Sequence, residues 1–271
     1  MPVMGWLAVS LVFCLAAEGT ETVRQAPAYS SASIVNAATN EPGPLSPLAL
    51  VSLYGKDLTN VTRAISEDDI RSGILPTILI GTGVVVSIDN IAVPLLFASP
   101  NQINFVVPGN IRTGRRFVRV TFNGRAGPDA EIQLVESSPG LFQMDAGAII
   151  ATRPDGSLIT PKSPAAPGDV LVIYAAGLGP TSPAVTGLTI PRAAASIVGR
   201  PQLAVLLNGE PVPDESILYA GVTPGFAGLY QINCRLPAGT AADPEIRIRM
   251  PAQTSPPRMY LPVRRPSASV Q

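Results

Sequence analysis

The stretch that decides the fold is Pro44-Leu-Ser-Pro-Leu-Ala-Leu-Val-Ser-Leu-Tyr54, because its pattern returns as Pro164-Ala-Ala-Pro-Gly-Asp-Val-Leu-Val-Ile-Tyr174. Each copy places two prolines shortly before an apolar run that ends in tyrosine. A short apolar run bounded in this way is typical of a buried strand. The second copy begins 120 residues after the first (44 to 164). This repeat predicts two copies of one β-rich module.

Two further blocks repeat in the same order along the chain. Val84–Pro94 (VVVSIDNIAVP) matches Leu203–Pro213 (LAVLLNGEPVP), and Gln102–Pro108 (QINFVVP) matches Gln231–Pro237 (QINCRLP). The interval before the last block is longer in the second copy, which places an insertion near residues 222–229. Three matches in one order indicate an internal duplication.

Turn signals separate the predicted strands. Two-residue turns with positive φ favour Asn-Gly and similar pairs. Such pairs stand at Asp89-Asn90, Asn123-Gly124, Asp155-Gly156 and Asn208-Gly209. Only Ser66–Ser72 looks helical, for one or two turns, because Ser66 can cap a helix whose first turn is acidic. With many Gly and Pro and few helix signals, we predict an all-β chain of two tandem immunoglobulin-like β-sandwiches.

The first residues predict export. Met4–Ala17 is an apolar run shorter than the ~20 residues that span a bilayer, so we interpret it as the core of a signal peptide. No Lys or Arg precedes this run, and an uncleaved N-terminal anchor is the alternative. The predicted location is extracytoplasmic: secreted, periplasmic or at the cell surface. The predicted division is a signal peptide 1–19, a linker 20–31, a first sandwich 32–143, a second sandwich 144–265 and a tail 266–271.

Composition argues against several functions. Histidine is absent, which excludes Ser-His-Asp and Cys-His nucleophiles and metal sites that contain histidine. Lys plus Arg and Asp plus Glu balance at 19 each, so no charge pattern indicates nucleic acid or an anionic membrane as a partner. Cys234 lies in a strand-like run and is expected to be a small buried side chain. We expect no enzyme, no cofactor and no metal.

The candidates for chemistry are few. Glu67, Asp68 and Asp69 form the densest acidic cluster; we interpret it as a solvated capping turn rather than a glycosidase carboxylate pair. Asp145 and Asp155-Gly-Ser157 supply only fragments of a calcium loop. Gly81-Thr-Gly83 precedes a strand, so it indicates a turn and not a phosphate loop.

Aromatic residues recur at equivalent positions of the two copies. The pairs are Tyr54 with Tyr174 and Phe97 with Tyr219. We expect these four to be core or corner residues rather than a binding platform. Phe226 and Tyr230 flank the insertion in the second copy. They are the first place to look for a ligand site, because loops at the ends of sandwiches carry binding.

Several stretches together resemble one bacterial family, that of the Solibacter C-terminal domain, an uncharacterised module of exported proteins. They are Ser33–Ala38 (SIVNAA), Ser52–Leu58 (SLYGKDL), Pro94–Pro108 (PLLFASPNQINFVVP), Ser138–Phe142 (SPGLF), Tyr174–Pro180 (YAAGLGP) and Pro224–Asn233 (PGFAGLYQIN). The resemblance covers Ser33 to Arg264. It implies tandem folds similar to the IPT/TIG type on secreted or surface proteins, and it implies no activity. Pro183–Pro201 departs from the family's spacing and is expected to be a surface loop.

The predicted function is therefore a non-catalytic exported structural or interaction module. Its partner would be an extracellular protein or a glycan, as in cell-surface adhesion. A carbohydrate-binding module is the alternative; it would need exposed aromatic residues, and the single tryptophan, Trp6, lies in the predicted signal. A glycoside hydrolase that uses carboxylates alone is the third hypothesis.

Overall fold

A computed structural model describes residues 25–144 and 147–264. These two ranges contain no α-helix, and no helix in them is long and apolar enough to cross a membrane. The predicted signal peptide, the predicted tail and Asp145 lie outside the described residues.

Two groups of strands correspond to the two copies. The strands of the first module are β1 (Ile34–Asn36), β2 (Leu50–Tyr54), β3 (Arg63–Ala64), β4 (Val84–Ile88), β5 (Ile91–Ala92), β6 (Leu95–Ala98), β7 (Gln102–Val106), β8 (Gly114–Phe122), β9 (Arg125–Ala126) and β10 (Ala130–Leu134). Those of the second are β11 (Gly140–Leu141), β12 (Ala151–Thr152), β13 (Val170–Ala176), β14 (Thr181–Ser182), β15 (Ser196–Ile197), β16 (Ala204–Leu207), β17 (Glu210–Pro211), β18 (Ile217–Val222), β19 (Tyr230–Arg235) and β20 (Ile246–Arg249). Short 3₁₀ turns lie at Ser31–Ser33, Glu67–Asp69, Arg200–Gln202 and Asp214–Ser216.

The first module is a sandwich of two antiparallel sheets. One sheet has the order β1-β2-β7-β6-β3, and the other has the order β10-β8-β4-β5 with β9 beside β8. Side chains alternate between the two faces of a strand. In β10 this alternation buries Ile132 and Leu134, whereas Gln133 between them is exposed. The inward side chains of both sheets, including Phe105 and Val120, form one core.

The second module repeats this design. Its larger sheet has the order β11-β13-β19-β18-β15-β14, with β12 also on β13, and the smaller has the order β17-β16-β20. Its core includes Ile173, Tyr230 and Ile248. The predicted fold class, two tandem immunoglobulin-like β-sandwiches in an all-β chain, is confirmed.

The duplication extends to strand order and irregularities. β2-β7-β6 of the first module and β13-β19-β18 of the second are the same three strands of the repeat. The pairing register shifts at an equivalent place in each module. The shift lies between Leu95 and Phe97 in the β6–β7 pair and between Ile217 and Tyr219 in the β18–β19 pair. A bulge is a defined local feature that adds a residue to one strand. Its recurrence shows that the two copies share backbone geometry as well as sequence.

The turns and the short helix follow the prediction. Asn208 and Gly209 have φ of 51° and 87°, and Asp89 and Asn90 have φ of 48° and 67°, as two-residue hairpins require. The one or two helical turns expected within Ser66–Ser72 are the single 3₁₀ turn Glu67–Asp69, with Ser66 at its N-cap.

The chain passes from the hydrophobic core of the first module to that of the second before the predicted domain boundary at residue 143. β11 pairs with β13, and Leu141 packs in the second core, whereas Leu134 packs in the first. The core therefore changes between Leu134 and Gly140, before residue 143. The division into residues 32–143 and 144–265 otherwise stays a prediction.

The described part of the predicted linker 20–31 is attached to the first sandwich. Ala28 forms a backbone bridge with Lys56. The Tyr29 hydroxyl donates to the Pro128 carbonyl (2.5 Å) and accepts from the Val120 amide (2.7 Å). Residues 28 and 29 thus belong to the folded module.

The stretch Pro183–Pro201 joins the modules and is not simply a surface loop. The Gly109 amide donates to the Thr186 carbonyl (2.8 Å), and the Leu75 amide donates to the Leu188 carbonyl (2.9 Å). Both donors belong to the first module. Backbone hydrogen bonds from one module to a loop of the other hold the two sandwiches against each other.

Candidate functional site

The outer face of the first module's β2-β7-β6 sheet carries an unusual set of side chains. In β7, Ile103 and Phe105 point into the core, so Gln102 and Asn104 point outward. Gln102 lies directly across from Tyr54 of β2. Asn104 lies between Ser52 of β2 and Phe97 of β6. The side-chain amides of Gln102 and Asn104 therefore lie between the aromatic residues Tyr54 and Phe97.

A hydrogen bond orients the two amides. Gln102 Nε2 donates to Asn104 Oδ1 at 2.8 Å. In the described part of the chain, Gln102 Oε1 and Asn104 Nδ2 have no protein partner. The pair therefore presents an acceptor and a donor side by side, both fixed before any ligand arrives.

The amide pair lies in a groove of about 500 Å³. Its lining residues are Ala37, Asn40, Leu50, Val51, Ser52, Tyr54, Leu96, Phe97, Gln102, Asn104 and Phe142. Phe142 belongs to the second module, so this groove lies where the modules meet. None of these lining residues is charged.

An apolar cleft of about 370 Å³ continues the groove along the module junction. The cleft and the groove share Leu50, Leu96 and Phe142. The other lining residues of the cleft are Ile65, Ile70, Leu75, Ile190, Gly225, Phe226, Ala227 and Leu229. The two cavities together offer a polar, aromatic half and an apolar half.

Phe226 is placed at this cleft by the insertion of the second copy. The insertion is the β18–β19 loop, closed by a hydrogen bond from the Thr223 amide to the Leu229 carbonyl (2.9 Å). Gly228 has φ +71°, and a Cβ there would lie 2.8 Å from Leu50 Cγ, so this loop touches the first module. Phe226 is 59% exposed. Phe226 thus lines the apolar cleft, and its role in binding a ligand stays a prediction.

Tyr230, the other residue of that prediction, is not at the surface. It is fully buried in the second core, and its hydroxyl donates to the Gly179 carbonyl at 2.5 Å. Burial raises its pKa. Side chains alternate between the two faces of β19. Gln231 faces outward, so the neighbouring Tyr230 faces the core. Tyr230 as a ligand residue is therefore a wrong prediction.

The equivalent aromatics do not share one role. Tyr54 is 36% exposed and lines the groove, so the expected core position is wrong for it. Phe97 lines the groove too. The Tyr219 hydroxyl donates to the Val222 carbonyl (2.9 Å) and lies 3.2 Å from the Ala195 carbonyl, which agrees with the expected corner role.

The acidic cluster is not a uniformly solvated turn. Glu67 and Asp68 are exposed, but the Asp69 side chain is buried. Its carboxylate accepts hydrogen bonds from the Ser66 amide and hydroxyl, the Ile80 amide and the Arg63 guanidinium. Burial opposes its ionisation, but these donors outweigh burial and lower the pKa of Asp69 to about 2. Asp69 fixes the turn that carries Ile70 into the cleft.

Replacing Asp69 by Asn is expected to lower the free energy of unfolding at pH 7 by about 2 kcal/mol, the usual worth of hydrogen bonds to a charged group. The folded pKa lies below the ordinary value of 3.8, so this stabilisation is complete above pH 3.8 and fades as the pH falls toward 2. Urea unfolding at pH 7 and at several values between 4 and 2 measures both effects. Exposed Glu67→Gln is the matched control, and an equal loss in both variants would contradict the anchoring role of Asp69.

The remaining candidates are structural. Cys234 is buried, and burial raises its pKa to about 11, as expected for an unreactive thiol. Gly81 and Gly83 have φ of 80° and 65° in the turn before β4. Asp155 accepts a hydrogen bond from the Ser157 amide in its own turn. Within residues 25–144 and 147–264 no three Asp, Glu or Cys side chains are grouped as metal ligands.

Sequence reasoning missed Gln102 and Asn104 as site residues. The available signal was that Gln-Ile-Asn occurs in both copies with its two amides two positions apart. That spacing puts them on one face of a strand. Phe142 carried no comparable signal, because it reaches the groove only through the packing of the modules.

No family model matches this chain, and no curated protein matches it. Solved structures give distant similarities. A surface glycan-binding protein of the Bacteroides ovatus mixed-linkage glucan utilization locus, in complex with a mixed-linkage heptasaccharide, has a TM-score of 0.32 and 8% identity over 82% of this chain and 44% of that chain. A surface glycan-binding protein from Prevotella bryantii has a TM-score of 0.26 and 12% identity over 85% of this chain and 41% of that chain. Domains 5–6 of the S-layer protein SbsC have a TM-score of 0.26 and 8% identity over 89% of this chain and 100% of that chain.

The chain spans less than half the length of the two glycan-binding structures. The similarity is too low to assign a function, and the resemblance to the Solibacter family stays a prediction.

Proposed function

We propose that this chain is a non-catalytic binding module of an extracytoplasmic protein, and that the groove around Gln102 and Asn104 holds a neutral saccharide. One observation carries the proposal: an uncharged groove with an oriented amide pair between Tyr54 and Phe97. The apolar run Met4–Ala17 supports the extracytoplasmic location.

A sugar ring has the matching chemistry. Its C–H face is apolar and packs against aromatic rings, while its hydroxyl groups both donate and accept hydrogen bonds. Gln102 Oε1 would accept from one hydroxyl, and Asn104 Nδ2 would donate to a neighbouring one. Sites of this kind combine apolar walls with a few oriented polar groups that set specificity.

The charge of the lining favours a neutral ligand. A phosphate, sulfate or uronic acid that enters a partly enclosed site loses water and needs a positive partner there. Neither the groove nor the apolar cleft that continues it is lined by Lys or Arg. A neutral hexose chain needs no such partner.

The test is a glycan array probed with the purified protein. The array should include a mixed-linkage glucan heptasaccharide, which one distant structural neighbour holds, and acidic oligogalacturonides of similar length. We expect binding to neutral glycans and none to the acidic set. Binding to acidic glycans alone, or to no glycan, would leave the protein–protein interaction module as the better hypothesis.

A further inference from the structure

The second module carries the same amide pair on the same face. Gln231 Nε2 donates to Asn233 Oδ1 at 3.1 Å, as Gln102 donates to Asn104. Tyr174 lies directly across from Gln231, and Tyr219 lies directly across from Asn233. These are the cross-strand neighbours that Tyr54 and Phe97 provide in the first module.

These side chains are partly exposed. Tyr174, Tyr219, Gln231 and Asn233 all have intermediate solvent exposure, whereas Ile232 between the two amides is fully buried. In the described part of the chain, Gln231 Oε1 and Asn233 Nδ2 have no protein partner. The acceptor and donor that face solvent are thus the same two groups as in the groove.

We infer that this outer face, around Gln231 and Asn233, is a second saccharide site. The inference rests on the proposed function, because the ligand class is carried over from the groove. The amide pair needs no internal partner beyond its own hydrogen bond, and it is oriented alike in both modules. A ligand that bonds to one pair therefore finds the same donor and acceptor in the other.

One of the two aromatic side chains of the second site, Tyr219, is held in place by its surroundings. The Tyr219 hydroxyl donates to the Val222 carbonyl at 2.9 Å, and its ring end lies over Gly221. A Cβ at Gly221 would meet both the Ala195 carbonyl oxygen and the Tyr219 hydroxyl oxygen, so glycine is needed where the ring and the neighbouring backbone lie against the strand. A ring held in this way presents a fixed face to a ligand at little further entropic cost.

The second site differs from the first in ways that weaken it. Val172 stands where the first module has Ser52, so one hydroxyl is missing. Exposed Arg235 stands where the first module has buried Val106, which makes this end of the face charged. We therefore expect lower affinity for a neutral glycan than at the groove.

A titration with the mixed-linkage glucan heptasaccharide, followed by NMR of the side-chain amides, tests the inference. We expect the Gln102 and Asn104 signals to shift first and the Gln231 and Asn233 signals to shift at higher ligand concentration. Calorimetry should show two sites per chain. The double variant Gln231→Ala with Asn233→Ala should reduce this to one and leave the groove signals responsive. Gln133→Ala, an exposed amide on β10 of the opposite sheet, is the control and should retain two sites.

The outcomes separate this inference from the proposed function. If only the Gln102 and Asn104 signals shift and one site is found, the second site is wrong and the groove stands. If neither pair of amides responds to the heptasaccharide, or to any neutral glycan that the protein binds on the array, both the second site and the saccharide function are wrong.

Discussion

Replacing Tyr230 by alanine is expected to lower the free energy of unfolding by about 4 kcal/mol, the usual cost of truncating a buried aromatic residue to alanine. Tyr230 is fully buried in the second core and is among the largest side chains so placed. Its hydroxyl also satisfies the Gly179 carbonyl. The substitution removes the ring, leaves a cavity between the sheets and leaves that carbonyl unpaired. Urea denaturation followed by circular dichroism measures the loss.

Two further variants make this prediction specific. Tyr230→Phe keeps the ring but leaves the Gly179 carbonyl without a hydrogen-bond donor. It should lower the free energy of unfolding by about 1–3 kcal/mol. Phe226→Ala removes an exposed aromatic from the same hairpin and should change stability by less than about 0.5 kcal/mol. Equal losses for Tyr230→Ala and Phe226→Ala would contradict the assignment of Tyr230 to the core and Phe226 to the surface.

The double variant Gln102→Ala with Asn104→Ala is expected to weaken heptasaccharide binding at the groove about 30-fold. Each neutral hydrogen bond contributes about 1 kcal/mol, and losing two of them multiplies the dissociation constant by roughly that factor. Both side chains point away from the core, so the unfolding midpoint should stay close to that of the unmodified protein. Isothermal titration calorimetry measures the affinity.

Gln133→Ala controls for the loss of an amide at the surface and should leave affinity unchanged. Phe226→Ala tests the apolar end of the site and should weaken binding less than the amide variant does. If Phe226→Ala abolishes binding while the amide variant binds normally, the apolar cleft is the binding site and the saccharide assignment of the groove fails.

The local parts of the fold were predictable from local sequence. Asn208-Gly209 and Asp89-Asn90 tolerate positive φ, and the structure places hairpin turns at both. Alternation predicts which side chains of a strand share a face, as in β7. The capping signals of Ser66–Ser72 predict a helix of one or two turns, and the structure has a single 3₁₀ turn that Asp69 stabilises through its hydrogen bonds to Ser66.

The site was only partly predictable. Phe226 was found because an insertion in a repeat marks a loop, and this loop reaches the surface cleft. Tyr230 was predicted because it flanks the insertion, but it is the first residue of β19, and the alternation of side chains along that strand places it in the core and Gln231 outside. Gln102 and Asn104 share a face by their spacing. Whether that face is open is decided by what packs on it.

The sequence by itself determined the strands, the hairpin turns and the duplication, because these depend on φ preferences, on period-two alternation and on matching blocks within the chain. Only the tertiary structure decided how the two sandwiches meet. Thr186 and Leu188 accept hydrogen bonds from Gly109 and Leu75, residues far away in the chain. Such pairings depend on shapes and distances that no local pattern encodes. The groove walled by Phe142 exists because those contacts hold the second module against the first.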